Sequence, residues 1–157
     1  MNKQRDYEDN VEHKNKLYLS YDKNVFNNHL QTLEGHQGWR NKLIDAIPNL
    51  NKEINFVDIG CGLGDKTLRL LNNEKNKFKN IFLIDYSNQS TVLFSSFYKD
   101  DKVKILHEDV MKALDMVDND SLDLVVAFGF IHEIKNRKSF LLKLKTKLNK
   151  NNLLLIS

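Results

Sequence analysis

The chain has 157 residues, 41% of them hydrophobic and 29% charged, with a formal net charge of +3 and a single cysteine, Cys61. That length and apolar content suit one domain around one core and give no reason to expect a second. A lone cysteine excludes an internal disulfide, nothing near it has metal-ligand spacing, and the Lys and Asn excess is spread along the chain instead of forming a nucleic-acid-binding arm.

Residues 1–15 are charged and poorly periodic, so a disordered tail or frayed helix is expected there. The N-terminus has no apolar signal region, and no later run approaches the roughly 18 apolar residues of a membrane helix. A cytoplasmic protein in a reducing compartment is the expectation. Residues 16–50 read as a helical segment in which Leu43, Ile44 and Ile47 form a stripe that Pro48 stops, with Trp39 assigned to the core.

From residue 51 to 157 strands and helices alternate. Val57-Asp58-Ile59 is a strand that enters the turn Gly60-Cys61-Gly62-Leu63-Gly64. Asp65 is expected to cap the next helix, with Leu68, Leu70 and Leu71 inward and Asn72-Asn73 at its end. The strand Ile81-Phe82-Leu83-Ile84 ends at Asp85-Tyr86, and Ser87 caps a helix with Val92, Leu93, Ser96 and Phe97 on one face. Val103-Lys104-Ile105-Leu106 ends at His107-Glu108-Asp109, and Leu122 to Phe128 forms a fourth strand followed by Gly129. Phe140, Leu141, Leu144 and Leu148 mark the last helix, whose basic face is read as solvated, and Leu153-Leu154-Leu155-Ile156 a fifth strand.

The glycine turn carries the chemistry. Glycines are needed where φ is positive or where a ligand lies against the main chain. Counted from Gly60 or Gly62, the segment lacks the last glycine of the dinucleotide fingerprint Gly-x-Gly-x-x-Gly. Asp58 and Asp65 flank the turn, where a pyrophosphate prefers a bare, positive helix N-terminus. A cationic ligand suits such a site, and S-adenosylmethionine, with its sulfonium and ammonium and no phosphate, has that chemistry. Asp85 stands 25 residues after Gly60, close to where a carboxylate accepts from ribose hydroxyls. Glu108 and Asp109 are placed for either an adenine amino group or a helix cap over Val110. Cys61 is read as a small packing residue without catalytic use, since no nearby His supplies a base.

In these motifs the chain resembles the class I S-adenosylmethionine-dependent methyltransferases. Their first motif corresponds to Val57 through Gly64, their ribose-binding acid to Asp85, their adenine segment to Glu108-Asp109-Val110 and their fourth strand to Leu122 through Phe128. The resemblance implies a Rossmann-like, doubly wound parallel α/β sheet in the order 3-2-1-4-5, with the last two strands of the family's sheet lacking after Ile156. It also implies a cofactor site made of Asp58, Gly60, Cys61, Gly62, Leu63, Gly64, Asp85, Tyr86, Glu108, Asp109, Val110, Phe128 and Gly129. A narrower likeness, carried by Tyr21-Asp22, Gly35 to Arg40 and Phe128-Gly129, is to the ubiquinone and menaquinone biosynthesis C-methyltransferases. Cys61-Gly62-Leu63-Gly64 departs from the Gly-Gly-Thr-Gly usual there, so the substrate is not carried over.

The expected activity is methyl transfer to the oxygen or carbon of a small-molecule acceptor, in which positioning supplies much of the acceleration. His132, after the fourth strand, is a candidate base against the reading of a partly exposed histidine that starts the next helix. Tyr18 and Tyr21 are candidates to close over the sulfonium. Two alternatives are a cofactor-binding module that needs a partner chain or a second copy along its fifth strand, and an NAD-dependent oxidoreductase, which the glycine spacing disfavours.

Overall fold

The computed structural model describes residues 12, 13, 16, 38–73 and 75–156, with the Phe97 side chain excepted. Most of the expected tail, most of the segment before Gly38, and with them Tyr18 and Tyr21, lie outside the described residues. Among the described residues there are five strands and five α-helices. They run α1 (Gly38–Asp45), β1 (Glu53–Ile59), α2 (Asp65–Asn72), β2 (Lys77–Ile84), α3 (Asn88–Phe97), β3 (Val103–Leu106), α4 (Val110–Ala113), β4 (Leu122–Ala127), α5 (Arg137–Lys147) and β5 (Leu148–Ile156).

The strands form one parallel sheet in the order β3-β2-β1-β4-β5, as the resemblance implies. Successive side chains of a strand point to opposite faces, and a sheet buried on both sides needs apolar residues at every position. All six residues of β4 are buried and all but Asp123 are apolar; that carboxylate accepts from Asn55 N–H (2.8 Å) and pairs with Lys52. Phe56, Ile81, Leu83, Leu124 and Val126 pack on one face with Ile44, Ile47, Leu70 and Phe94 of the flanking segments. Val57, Ile59, Val125 and Ala127 pack on the other with Val110, Ala113, Phe140 and Leu144. Full burial of a side chain such as Phe56 or Leu124 contributes about 1.5–3 kcal/mol. The helices therefore lie on both faces, the doubly wound arrangement.

Local chemistry sets the helix starts. Ser87 Oγ accepts from the Ser90 N–H at the start of α3, Asp109 from the Met111 N–H at α4, and Asn136 from the Ser139 N–H at α5. Asp65 does not cap α2. The cap position belongs to Gly64, whose φ of 75° opens the turn into the helix, and Asp65 is the first helical residue.

Several side chains expected inside are outside. Trp39 is 53% exposed, because α1 turns Asn41 and Ile44 inward and leaves Trp39 reaching sideways to the Phe128 ring, 6.1 Å away. Leu43 and Leu141 are exposed, as is Val92, since α3 buries Ser90, Thr91, Leu93 and Phe94 instead. Leu148 opens β5 and does not end the helix. Lys147 departs from a solvated basic face: it is buried, and its ammonium donates to Val117 O (2.8 Å) and Asn119 Oδ1 (2.7 Å).

The strand ends are level. Ile59 pairs with Ile84 and Ile84 with Leu106, so the residues that follow each strand emerge along one edge of the sheet. Ligands of open α/β sheets bind outside these carboxyl ends, at the point where the strand order reverses. Here that point lies between β1 and β4.

Candidate functional site

Four chain segments meet at this edge: the glycine turn after β1, Asp85-Tyr86 after β2, His107 to Asp109 after β3, and Phe128 to Phe130 after β4. The turn is held by its own amides. Gly60 and Cys61 N–H both donate to Ile84 O (2.8 and 3.2 Å), and Gly64 N–H donates to Cys61 O (2.8 Å). Gly62 N–H donates to Asp85 Oδ2 (2.7 Å). Four of the turn's five amides, those of Gly60, Cys61, Gly62 and Gly64, therefore face protein acceptors, whereas a phosphate-binding loop presents its N–H groups to the ligand.

The three glycines are not equivalent. A Cβ at Gly60 would lie 2.9 Å from Cβ of Phe130, and one at Gly64 would lie 2.6 Å from Cε2 of the buried Phe94. Gly62 has φ of 53° and nothing within 4 Å of a Cβ placed there. Gly60 and Gly64 thus allow aromatic rings to pack on the turn. Gly62 opens onto the space a ligand can enter.

Asp85 joins two loops. Besides accepting from Gly62, its Oδ1 accepts from Ser87 N–H (2.7 Å), so the carboxylate that sequence reasoning assigned to ribose also braces the glycine turn against α3. Replacing Asp85 with alanine should lower stability and S-adenosylhomocysteine affinity together, because it strands two backbone donors and removes charge-assisted hydrogen bonds worth about 1.5–3 kcal/mol each. Urea unfolding and calorimetric titration check this; an unaltered unfolding midpoint would show that the carboxylate does not hold the turn.

Asp58 is buried under the turn, where its Oδ2 accepts from the Thr67 hydroxyl of α2 (2.8 Å). Burial pushes its carboxyl up to about 7; Thr67 opposes the shift, the neighbouring Asp65 and Asp85 charges add to it, and Lys66 reduces it. Lys66 is itself buried, pairs with Asp65, and donates to Asn41 Oδ1 of α1 (3.2 Å). With Asp65 paired to Lys66 and Asp58 ionised only as pH rises through about 7, Asp85 is the carboxylate left beside the turn at lower pH and Asp58 joins it at higher pH, chemistry that suits a cation and opposes a pyrophosphate. Burial, then the Asp85 and Asp58 charges, drive the Cys61 thiol well above its ordinary range, in keeping with a packing role.

After β3, Asp109 is exposed and occupied as the α4 cap through Oδ1, 2.8 Å from Met111 N. Glu108 accepts from Asp109 N–H (2.8 Å) and pairs with Lys112 (3.3 Å), while Val110 is buried in the second core cluster. Tyr86 is 46% exposed, its carbonyl 2.8 Å from His107 Nε2. His132 stands on a short 3-10 turn, Ile131–Glu133, with its side chain 68% exposed and Nε2 3.9 Å from Glu133 Oε1.

Two residues that sequence reasoning did not assign to the site stand at it. Phe130 covers Gly60 and so ties the β4 loop to the glycine turn. Arg40 of α1 places its guanidinium over the Trp39 and Phe128 rings, 5.0 and 5.9 Å from their centroids, and Nη2 3.2 Å from where a Gly129 Cβ would be. Arg40 had a signal, the Gly38-Trp39-Arg40 run within the narrower resemblance. Phe130 had only its position two residues past Phe128.

Residues 57–154, more than half of the chain, match the model of the family described as a methyltransferase domain. A 63-residue segment is 40% identical to the ubiquinone/menaquinone biosynthesis C-methyltransferase of Rickettsia typhi and 38% identical to that of Rickettsia prowazekii. The segment is 40% of this chain and covers only 25% of each relative. Among solved structures, a methyltransferase of Haloferax volcanii in complex with a methyltransferase activator superposes with a TM-score of 0.70 at 17% identity, over 91% of this chain and 58% of that one. Phosphoethanolamine N-methyltransferase 1 of Haemonchus contortus, bound to phosphoethanolamine and S-adenosylhomocysteine, gives 0.66 at 20% identity, over 94% of this chain and 31% of that one. At these identities the structures establish a shared fold.

Proposed function

The chain belongs to the methyltransferase domain family, and from that premise we propose that its glycine turn binds S-adenosylmethionine for methyl transfer to a small-molecule acceptor. The observation that carries the reading is the turn itself: four of its five amides bonded to protein acceptors, carboxylates beneath, and an open face at Gly62. That donor set fits a cationic cofactor without phosphate and does not fit NAD. When bound, the cofactor supplies an electrophilic methyl on a sulfonium that leaves as a neutral thioether. Gly62 would admit its close approach, Asp85 and Tyr86 would hold its ribose and adenine, and Glu108, Asp109 and Val110 would border the adenine edge. Phe128 and Gly129 line the side from which the acceptor approaches. Positioning of the two reactants then provides much of the acceleration.

Oxygen and carbon acceptors both suit this arrangement, and the names of the Rickettsia relatives favour carbon. We assign residues 51–157 as the cofactor-binding unit, preceded by a segment, residues 16–50, of which α1 is the described helix. A second reading, a module completed by a partner chain, rests on β5, which has β4 as its sole strand neighbour among the described residues and leaves Leu154 38% exposed. Cofactor binding without turnover in an acceptor panel would select that reading.

S-adenosylhomocysteine should raise the melting temperature and NAD should not. At a hundredfold excess over the dissociation constant the linkage is about 2.7 kcal/mol, or roughly 5–10 °C for a domain of this size. Thermal shift measurements decide it, and no shift at saturating S-adenosylhomocysteine would remove the cofactor assignment.

A further inference from the structure

We propose that His107 is a positioning residue of the cofactor site: it donates from Nε2 to the carbonyl of Tyr86 and so holds the turn after β2 in the orientation that presents Asp85 and Tyr86 to the adenosine half of S-adenosylmethionine. The inference rests on the cofactor reading above and adds to that site a residue that acts through its neighbours. His107 Nε2 lies 2.8 Å from Tyr86 O, across 21 residues of chain. A carbonyl oxygen only accepts, so Nε2 carries the hydrogen, in the neutral ring and in the protonated one alike. The sheet brings the two together. β2 and β3 pair as far as Ile84 and Leu106, and His107 is the first residue past β3, so its side chain carries the link between the strands one step further, into the loops.

The peptide that His107 holds decides the consequence. Tyr86 C=O and Ser87 N–H belong to one planar unit, and in a trans peptide they point in opposite directions. Ser87 N–H donates to Asp85 Oδ1 (2.7 Å), while Asp85 Oδ2 accepts from Gly62 N–H (2.7 Å). The unit is therefore gripped at both polar ends, by a carboxylate on one side and an imidazole on the other. Rotating it would break both contacts at once. It would also re-aim the Tyr86 side chain and disturb Ser87, whose φ of −79° and hydroxyl start α3. Loss of the imidazole donor removes one of the two grips, and because Asp85 is tied to this peptide and to Gly62 together, a shift of the peptide reaches the glycine turn. The His107 and Tyr86 rings also form a tilted pair with centroids 6.5 Å apart. That contact needs a ring and no donor, so substitution can separate it from the hydrogen bond.

The test is calorimetric titration of S-adenosylhomocysteine into the full chain, H107F and H107Q. Phenylalanine keeps a ring and removes the donor, whereas glutamine removes the ring and places an amide N–H at the same reach from Cα as Nε2. H107F should bind about three- to tenfold more weakly, the range of one net hydrogen bond, and H107Q should bind close to the parent. Long-range proton–nitrogen spectra of the parent at about pH 8 should place the His107 hydrogen on Nε2. A purely structural contact would lower the melting temperature of H107F and leave its affinity unchanged, which would overturn the proposal. An H107Q variant as weak as H107F, or a parent hydrogen on Nδ1, would overturn it too. If H107F does not fold, H107Q and the tautomer decide. Failure of S-adenosylhomocysteine to bind the parent would instead overturn the cofactor reading beneath it.

Discussion

Valine at Gly64 should unfold the domain, whereas valine at Gly62 should leave it folded and unable to hold the cofactor. At Gly64 two costs add. The backbone φ is 75°, and a Cβ would overlap the ring of Phe94, which is 1% exposed within the core and has nowhere to move. Backbone strain of about 1–3 kcal/mol and overpacking of a similar size amount to a large fraction of the roughly 5–15 kcal/mol that stabilises a domain. At Gly62 only the first cost applies, since nothing lies within 4 Å of an added Cβ. The valine side chain would stand in the space through which we propose the cofactor approaches. Circular dichroism melts should show the Gly64 variant far less stable than the Gly62 variant, and titration should show the folded Gly62 variant without affinity for S-adenosylhomocysteine. A Gly62 variant that binds like the parent would mean that the ligand does not lie against this turn.

The second large effect is pH dependence through Asp58. Its carboxyl titrates at about 7 in the folded chain against an ordinary value of 3.8. Between these values the folded state holds a proton that the unfolded state has released. The stability linked to that proton is therefore complete below the lower value and is lost as pH rises through the upper one. About three pKa units correspond to roughly 4 kcal/mol, so the ionised, buried Asp58 is a sizeable burden above neutrality. Asp58→Asn keeps an acceptor for Thr67 and removes the charge. It should make the chain more stable than the parent near pH 8 and flatten the fall in stability from about pH 5 to 8. The groups facing Asp58 are Thr67, Lys66 and Asp65 of α2 and Asp85 beyond β2. On the proposed function the same ionisation favours a cation, so the affinity ratio of S-adenosylmethionine to S-adenosylhomocysteine, which lacks the sulfonium charge, should rise through about pH 7 in the parent and stay level in Asp58→Asn. Denaturation and titration across pH test both halves. A parent chain with no difference from Asp58→Asn would show that the carboxyl is not held protonated.

Most of the sheet was legible because burial on both faces writes itself as continuous apolar runs. Val57, Ile81 to Ile84, Val103 to Leu106 and Leu122 to Ala127 all fall within observed strands, and the resemblance supplied their spatial order. Caps with a local signature, Ser87 and Asp109, were legible for the same reason: their hydrogen bonds reach two or three residues along the chain. Which face of a helix is buried depends on the element it meets, and that is where pattern reading went wrong. Val92 and Leu141 are apolar yet exposed, while Lys147 is charged yet buried because Val117 O and Asn119 happen to receive its ammonium.

The strand-turn-helix at Val57 to Gly64, the acidic residues that follow the strands and the departure from the dinucleotide fingerprint are legible along the chain, since each depends on neighbours close in it. What those residues do to one another came from the packed fold. It turned Asp85 into the brace of Gly62 across a separation of 23 residues, raised the Asp58 carboxyl by sealing it beneath α2, and set Arg40 against Gly129. Desolvation and long-range pairing act through distances in space, and the packing of the sheet's two layers fixes those distances.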